Sequence, residues 1–257
     1  MLIAQISDTH IGGDMDKNMP DGPDRIEMMK AFVSHIKGLD KKPDVILHNG
    51  DVVQGGAPEL YETVRSVFDD IGVPVYFSVG NRDKRENLVT GLGTLGGAEL
   101  VDGFLIYSID DYPVRLIAMD TQHRELNIGT TCSVRLGALE KLLKQQPDKP
   151  TALFMHHPPF EVTTSKYPFQ FDDPVLADAF LKLVSENKQI VHLFCGHMHR
   201  EFGVELDTCF ASCVPSLTPD NRLGDFEDNM KFAPLYQLHR WNADAGRFET
   251  SLHNAKV

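Results

Sequence analysis

Cysteine is scarce in this chain, and the little there is forms no cross-linking pattern. The four cysteines among 257 residues, Cys132, Cys195, Cys209 and Cys213, include no C-x-x-C pair. That excludes a disulfide scaffold, and Cys195, inside an apolar run, suits a free buried thiol. No stretch approaches the ~18 consecutive apolar residues that a membrane-spanning helix needs. Basic charge is also in deficit: 25 Lys and Arg against 37 Asp and Glu give 25 − 37 = −12. Such a balance disfavours nucleic-acid polymers and anionic membrane surfaces as partners. A basic leader with a cleavage-like site is missing, since an apolar strand begins at residue 2, and a cytoplasmic location is the expectation. Internal repeats, low-complexity tracts and dividing linkers are absent too. The expectation is therefore one domain over 1–257.

What is present is an ordinary globular composition, 42% apolar and 24% charged, long enough for a large α/β core. Leu2–Ile6 reads as a buried strand. A helix begins near Pro23, with Ile26, Met29, Phe32, Val33 and Ile36 at helical spacing and Gly38 as its C-terminal cap. The preceding segment, Gly12–Pro23, reads as a loop. Strand Val45–Leu47, a Pro58-led helix ending before Gly72, and strand Val73–Val79 follow. This alternation with short connections implies parallel strands and right-handed crossovers. Leu88–Gly97 reads as a glycine-rich loop, and Leu105–Ile109 with Arg115–Met119 as a hairpin around Asp110–Pro113. A helix over Ser133–Gln146 leads to strand Thr151–Met155. An Asp173-Pro174 cap opens a helix ending near Asn187, ahead of strand Ile190–Cys195. Phe202–Leu206, Cys209–Val214, Leu235–His239 and Phe248–Leu252 read as antiparallel strands. Residues 205–257 thus supply closing strands plus an acidic loop, Pro215–Lys231. Its Asp220–Asp228 stretch reads as solvated, with a lid or subunit contact as the sharper alternative.

Chemistry-bearing residues collect where the apolar runs end. Asp8-Thr9-His10, Gly50-Asp51, Gly80-Asn81-Arg82-Asp83, His156-His157-Pro158-Pro159 and Gly196-His197-Met198-His199 each follow a strand-like segment. Ligands of parallel sheets bind outside the carboxyl ends of the strands. Asp8, His10, Asp51, Asn81, His156, His197 and His199 offer more nitrogen and oxygen ligands than one ion needs. They suit two ions ~3.5–4 Å apart sharing a carboxylate. Mixed imidazole and carboxylate donors suit manganese, iron, zinc or cobalt better than magnesium or calcium.

In this order, D-x-H, G-D, G-N-x-D, H-H-P-P and G-H-x-H resemble the signature blocks of calcineurin-like metallophosphoesterases. The Ile-Ser-Asp-Thr-His, Met-His-His-Pro-Pro and Phe-Cys-Gly-His-Met-His stretches are most similar to class III cyclic-nucleotide and glycerophosphodiester phosphodiesterases. The resemblance implies a four-layer α/β/β/α sandwich of two mixed sheets flanked by helices. It assigns one transition-metal ion, divalent or trivalent, to Asp8, His10 and His199. A second goes to Asn81, His156 and His197, with Asp51 bridging. It further implies hydrolysis of a small phosphate ester, diesters preferred, by direct attack of a metal-bound hydroxide.

One block departs from the pattern. Arg82 stands where the family usually has histidine, so a guanidinium that clamps phosphate oxygens replaces a proton donor. Proton supply then falls to water, His123 or His157, while Asp83 is a candidate orienting group. Tyr167, Phe169 and Phe171 read as loop packing, or as a stacking groove. His35, His48, His192, His239 and His253 read as structural. The alternatives to a phosphodiesterase are a phosphomonoesterase, a broad-specificity phosphoesterase, and a non-catalytic binding protein on the same fold. A homo-oligomer is left open.

Overall fold

The computed structural model describes residues 1–13, 24–96 and 100–255. Its elements in chain order are β1 (Leu2–Ile6), α1 (Arg25–Gly38), β2 (Val45–His48), α2 (Pro58–Phe68), β3 (Val75–Phe77) and α3 (Arg85–Gly96). There follow β4 (Tyr107–Ile109), β5 (Arg115–Met119), α4 (Ser133–Gln145), β6 (Thr151–Met155), α5 (Pro174–Glu186) and β7 (Ile190–Cys195). The chain closes with β8 (Phe202–Glu205), β9 (Phe210–Cys213), β10 (Leu235–Asn242) and β11 (Arg247–Asn254).

Two mixed sheets form, in the orders β11-β10-β1-β2-β3 and β4-β5-β6-β7-β9-β8. Strands β1, β2 and β3 run parallel, as do β5, β6, β7 and β9. The alternation of side chains along each strand sorts the core into three seams. Ala4, Ile6 and Ile46 pack under α1 and α2 with Phe32, Tyr61 and Phe68. Ile117, Met119, Leu153 and Met155 pack under α4 and α5 with Leu139 and Phe180. Their strand neighbours Ile3, Val45, Leu47, Leu116, Ala118, Ala152 and Phe154 face one another between the sheets. The result is the four-layer α/β/β/α sandwich. Its carboxyl strand ends open at one place, because the sheets face each other with their parallel strands feeding the same edge.

Three expectations are corrected. Within the segment Leu88–Gly97, the described part is not loop: α3 runs over Arg85–Gly96, with Leu88 and Leu92 buried four apart, and Gly97 lies outside the described residues. Glycine there serves packing, since a Cβ on Gly91 would lie 2.5 Å from the Tyr61 Cβ of α2. Strand β9 pairs antiparallel only with β8, and runs parallel to β7 on its other side. Gly38 lies inside α1, and Leu39 caps it with an extended backbone. The N-terminal cap is Asp24, whose Oδ1 accepts Ile26 N–H at 2.7 Å. Most of the Gly12–Pro23 loop, from residue 14 onward, lies outside the described residues, as does Pro23.

Candidate metal centre

Five loops leave five parallel strands at this edge, and each delivers its ligand within a few residues. The turns are tight. Asp8, Asp51, His10, His197 and His199 all adopt positive φ, at 57°, 50°, 44°, 67° and 52°. Among the described residues the only other non-glycine of this kind is Asp102. The left-handed conformation costs ~1–3 kcal/mol per residue, which the packed strand ends must supply. The preceding glycines are required by close approach. A Cβ on Gly80 would lie 2.1 Å from Asp51 N, and one on Gly196 2.0 Å from Ser7 Oγ.

The seven candidate ligands converge as two triangles of donor atoms. In the first, Asp8 Oδ1 lies 3.1 Å from His199 Nε2 and 3.7 Å from His10 Nε2, and the two imidazoles are 3.4 Å apart. In the second, Asn81 Oδ1 lies 3.1 Å from both His156 Nε2 and His197 Nδ1, which are 3.3 Å apart. Ligands at ~2.1 Å from one ion stand ~3.0–3.4 Å from each other in octahedral or tetrahedral arrangements. Asp51 Oδ2 joins the triangles, 3.6 Å from His10 Nε2 and 3.6 Å from His156 Nε2.

Each imidazole is turned by a bond on its outer face. His156 Nδ1 faces Asn49 O at 2.6 Å and His199 Nδ1 faces Asn221 O at 2.6 Å. A carbonyl can only accept, so the ring N–H points outward and the inner nitrogen keeps its lone pair. His10 Nδ1 reaches Gln54 Oε1 and His197 Nε2 reaches Gln170 Oε1, both at 3.0 Å. Two pairs of imidazole lone pairs are thereby opposed at 3.3–3.4 Å. Asp8 Oδ1, fully buried, has no hydrogen-bond partner. Such an arrangement repels itself unless a cation lies between the donors, and this donor set fits a dinuclear transition-metal site.

The electrostatics agree. Burial alone would raise the Asp8 carboxyl, but His199 and His156 overcome it and hold the group well below the carboxylate range. Burial would raise Asp51 too, and His156 with His10 holds it at about 2. Conversely, burial would lower His156, and Asp51 and Asp8 push it up to about 9. Two buried carboxylates thus demand positive charge from whatever occupies the pocket, and protons are the minimal substitute for metal ions.

The remaining predicted site residues fall outside the triangles. Asp83 does not face the pocket. Its buried carboxylate accepts the amides of Gly80, Val52 and Val53 and the Tyr61 hydroxyl. It therefore fastens the Asp51 loop to the Asn81 loop, and burial beside Asp51 raises it to about 6. His157 is fully buried beneath the ligands, its ring 4.5 Å from that of His197. Its Nδ1 lies 3.0 Å from Thr121 Oγ1, and Nε2 has no partner. Burial, then His197 and His156, hold it well below the imidazole range. It offers a nitrogen within 4.8 Å of those of His156 and His197. His123 uses Nδ1 to accept the Glu125 and Leu126 amides, which places its proton on Nε2, 3.7 Å from Asp172. Arg82 is exposed, and its amide donates to Asp51 Oδ1 at 2.7 Å.

Sequence reading missed Asn49, Gln54, Gln170 and Asn221, the groups that aim the imidazoles. Gln54 is three residues past Asp51, a proximity that could have flagged it. Gln170 lay hidden in the aromatic loop, where Tyr167 is 66% exposed and Phe171 is buried against Gly129. The acidic loop is corrected as well. Asp220 is buried and bonded to Arg25 at 2.7 Å, while Arg25 also donates to His10 O. Arg222 donates to the carbonyls of Ser216, Leu217, Met230 and Ala233. The loop is laced down and carries Asn221 to His199, whereas Asp225, Glu227 and Asp228 are exposed.

The family model for calcineurin-like phosphoesterases matches residues 1–201. The chain belongs to that family. Within it, a protein of Arcobacter nitrofigilis named as a probable glycerophosphodiester phosphodiesterase is 29% identical over 255 residues, covering 96% of this chain and 90% of that one. A Synechococcus protein named as a probable cyclic nucleotide phosphodiesterase is 29% identical over 204 residues, covering 79% and 74%. The fold is shared with a dimetal phosphatase of Danio rerio at a TM-score of 0.75 and 13% identity, covering 100% of this chain and 96% of that one. Among the described residues no helix is long and apolar enough to cross a membrane.

Proposed function

We propose that this protein hydrolyses small phosphodiesters at a pair of transition-metal ions. Asp8, His10 and His199 would hold one ion and Asn81, His156 and His197 the other, with the Asp51 carboxylate placed between the two sets. The observation that carries this reading is the pair of donor triangles sharing one carboxylate oxygen. When bound, two such ions supply Lewis acidity and lower the pKa of coordinated water towards neutrality. The chain's own residues do the rest. Asn49, Gln54, Gln170 and Asn221 fix which imidazole nitrogen faces inward. Asp83 ties the two loops that carry Asp51 and Asn81, so that their separation is set before substrate arrives.

Arg82 borders the pocket beside Asn81. Its guanidinium clamps phosphoryl oxygens by charge and by paired hydrogen bonds, in place of a proton donor. The bond from phosphorus to the leaving alcohol breaks as water's oxygen bonds to phosphorus; the attacking water gives up one proton to solvent, and the leaving alcohol takes one from solvent. His157 is buried beneath the ligands, and His123 holds its loop through Nδ1. Diesters are favoured because their single negative charge asks less of one guanidinium, and the names of the relatives point the same way. Manganese, iron, zinc and cobalt all suit the donors, and the four free thiols suit the cytoplasm.

Metal analysis of purified protein, alongside hydrolysis of bis-p-nitrophenyl phosphate and p-nitrophenyl phosphate, tests the proposal. Two ions per chain and faster diester turnover are expected. Protein that retains no transition metal and turns over neither ester refutes it.

A further inference from the structure

Among the described residues, three groups of His, Cys, Asp or Glu bring three donor atoms within 4.8 Å of one another. Two of these groups, Asp8 with His10 and His199 and Asp8 with Asp51 and His156, use only ligands assigned above. The third is His156, His157 and His197, and it admits a residue that the donor triangles leave out. Consecutive residues of a strand face opposite ways. Strand β6 has ended at Met155, though, and the bend over residues 156 and 157 brings both rings against that of His197, at 5.0 and 4.5 Å.

His157 is held firmly and left one contact short. Its Nδ1 lies 3.0 Å from the Oγ1 of fully buried Thr121, and the same oxygen accepts the His157 amide N–H at 3.1 Å. Gly129 packs against it so closely that a Cβ there would lie 2.6 Å from the His157 Cβ. The second ring nitrogen, Nε2, is buried and has no hydrogen-bond partner. A hydroxyl oxygen accepts as well as donates, so with Nδ1–H donating to Thr121 the unpartnered Nε2 carries a lone pair. Buried polar atoms are rarely left in that state. His48 and His192 also have an unpartnered nitrogen, but neither belongs to a group of converging donors.

We propose that His157 is a further ligand for the ion assigned to Asn81, His156 and His197, its imidazole replacing the Asn81 amide oxygen so that three histidines hold the ion. This assignment rests on the two-ion reading above and deepens it, because Asn81 and His157 compete for one ion and the metal decides between them. An amide oxygen suits manganese, whereas a third imidazole nitrogen suits zinc or cobalt. One position thereby accepts hard and softer ions by exchanging a single donor.

The test measures metal binding without substrate. Metal-stripped wild type and His157→Asn are titrated with zinc and, separately, with manganese against a chelator. Asparagine keeps a polar atom for Thr121 and removes Nε2. Affinity for one of the two zinc ions should fall at least ~10-fold, while both manganese affinities stay within ~3-fold. A loosened pocket would weaken both metals together, so equal losses overturn the proposal, as does an unmoved zinc affinity. Asn81→Ala supplies the converse and decides alone if His157→Asn does not fold. By elemental analysis it should retain two zinc ions per chain but at most one manganese. Loss of the second ion of both kinds from Asn81→Ala overturns the proposal and leaves the two-ion reading standing. Wild type that binds neither zinc nor manganese refutes both.

Discussion

Replacing Asn49 with alanine should loosen the seam between the sheets and, with it, the metal centre. Asn49 is fully buried. Its Nδ2 donates to Met155 O at 2.8 Å and Phe194 O at 2.7 Å, the ends of β6 and β7 in the opposite sheet. Its Oδ1 accepts Gln5 Nε2–H at 3.0 Å. Alanine deprives two buried carbonyls and one buried amide of a partner, at ~1–3 kcal/mol each. Because Gln5 also reaches Cys195 O, the net loss should be about 4 kcal/mol. In a chain of this size that corresponds to a fall in Tm of roughly 10 °C. The Asn49 carbonyl also turns His156, so metal affinity should drop ~10–100-fold as the strand end relaxes. Thermal unfolding of metal-stripped protein measures the first effect, and titration with manganese or zinc measures the second. Asn49→Asp provides the control, since it keeps the shape but loses both donors, and it must be at least as damaging. A Tm within ~2 °C of wild type for Asn49→Ala, or a stable Asn49→Asp, would refute the reasoning.

Three further outcomes are expected. Gln170→Leu removes the acceptor that turns His197, and metal affinity measured by competition with a chelator should fall ~10–100-fold with little change in Tm. Asp51→Asn should reduce bound metal from two ions to one or fewer per chain by elemental analysis, and should lower diester turnover at least ~100-fold. On the acid side, His239 is fully buried, and burial pushes it down to about 3, with His192 moving in the same direction. The unfolded chain takes up a proton below pH ~6.5 that the folded His239 refuses, so folding stability falls as pH drops from 6.5 towards 3. The slope is ~1.4 kcal/mol per pH unit for each such histidine. His239→Gln should flatten that slope in urea unfolding at pH 6, 5 and 4, and an unchanged slope would exclude the assignment.

The local rules that can be read along a chain did much of the work here. Near-continuous apolar runs such as Leu2–Ile6 and Thr151–Met155 mark buried strands, and a candidate ligand after each run marks the sheet edge that carries chemistry. Leu88 and Leu92 show where such reading fails. Their helical spacing was masked by Gly91, whose missing side chain is explained only by Tyr61 on a neighbouring helix.

By itself, then, the sequence determined the types of candidate ligand, their placement at strand ends and the alternation of strands and helices, because these follow from apolar runs, helical spacing and residues adjacent in the chain, while the four-layer arrangement was implied by the family resemblance. Only the tertiary structure decided which nitrogen of each imidazole faces inward, because that depends on partners from distant segments. His156 is turned by Asn49 and His199 by Asn221, across 107 and 22 residues. That Asp83 and His123 hold loops has the same origin: a polar side chain goes to whichever unpaired amides folding brings within reach.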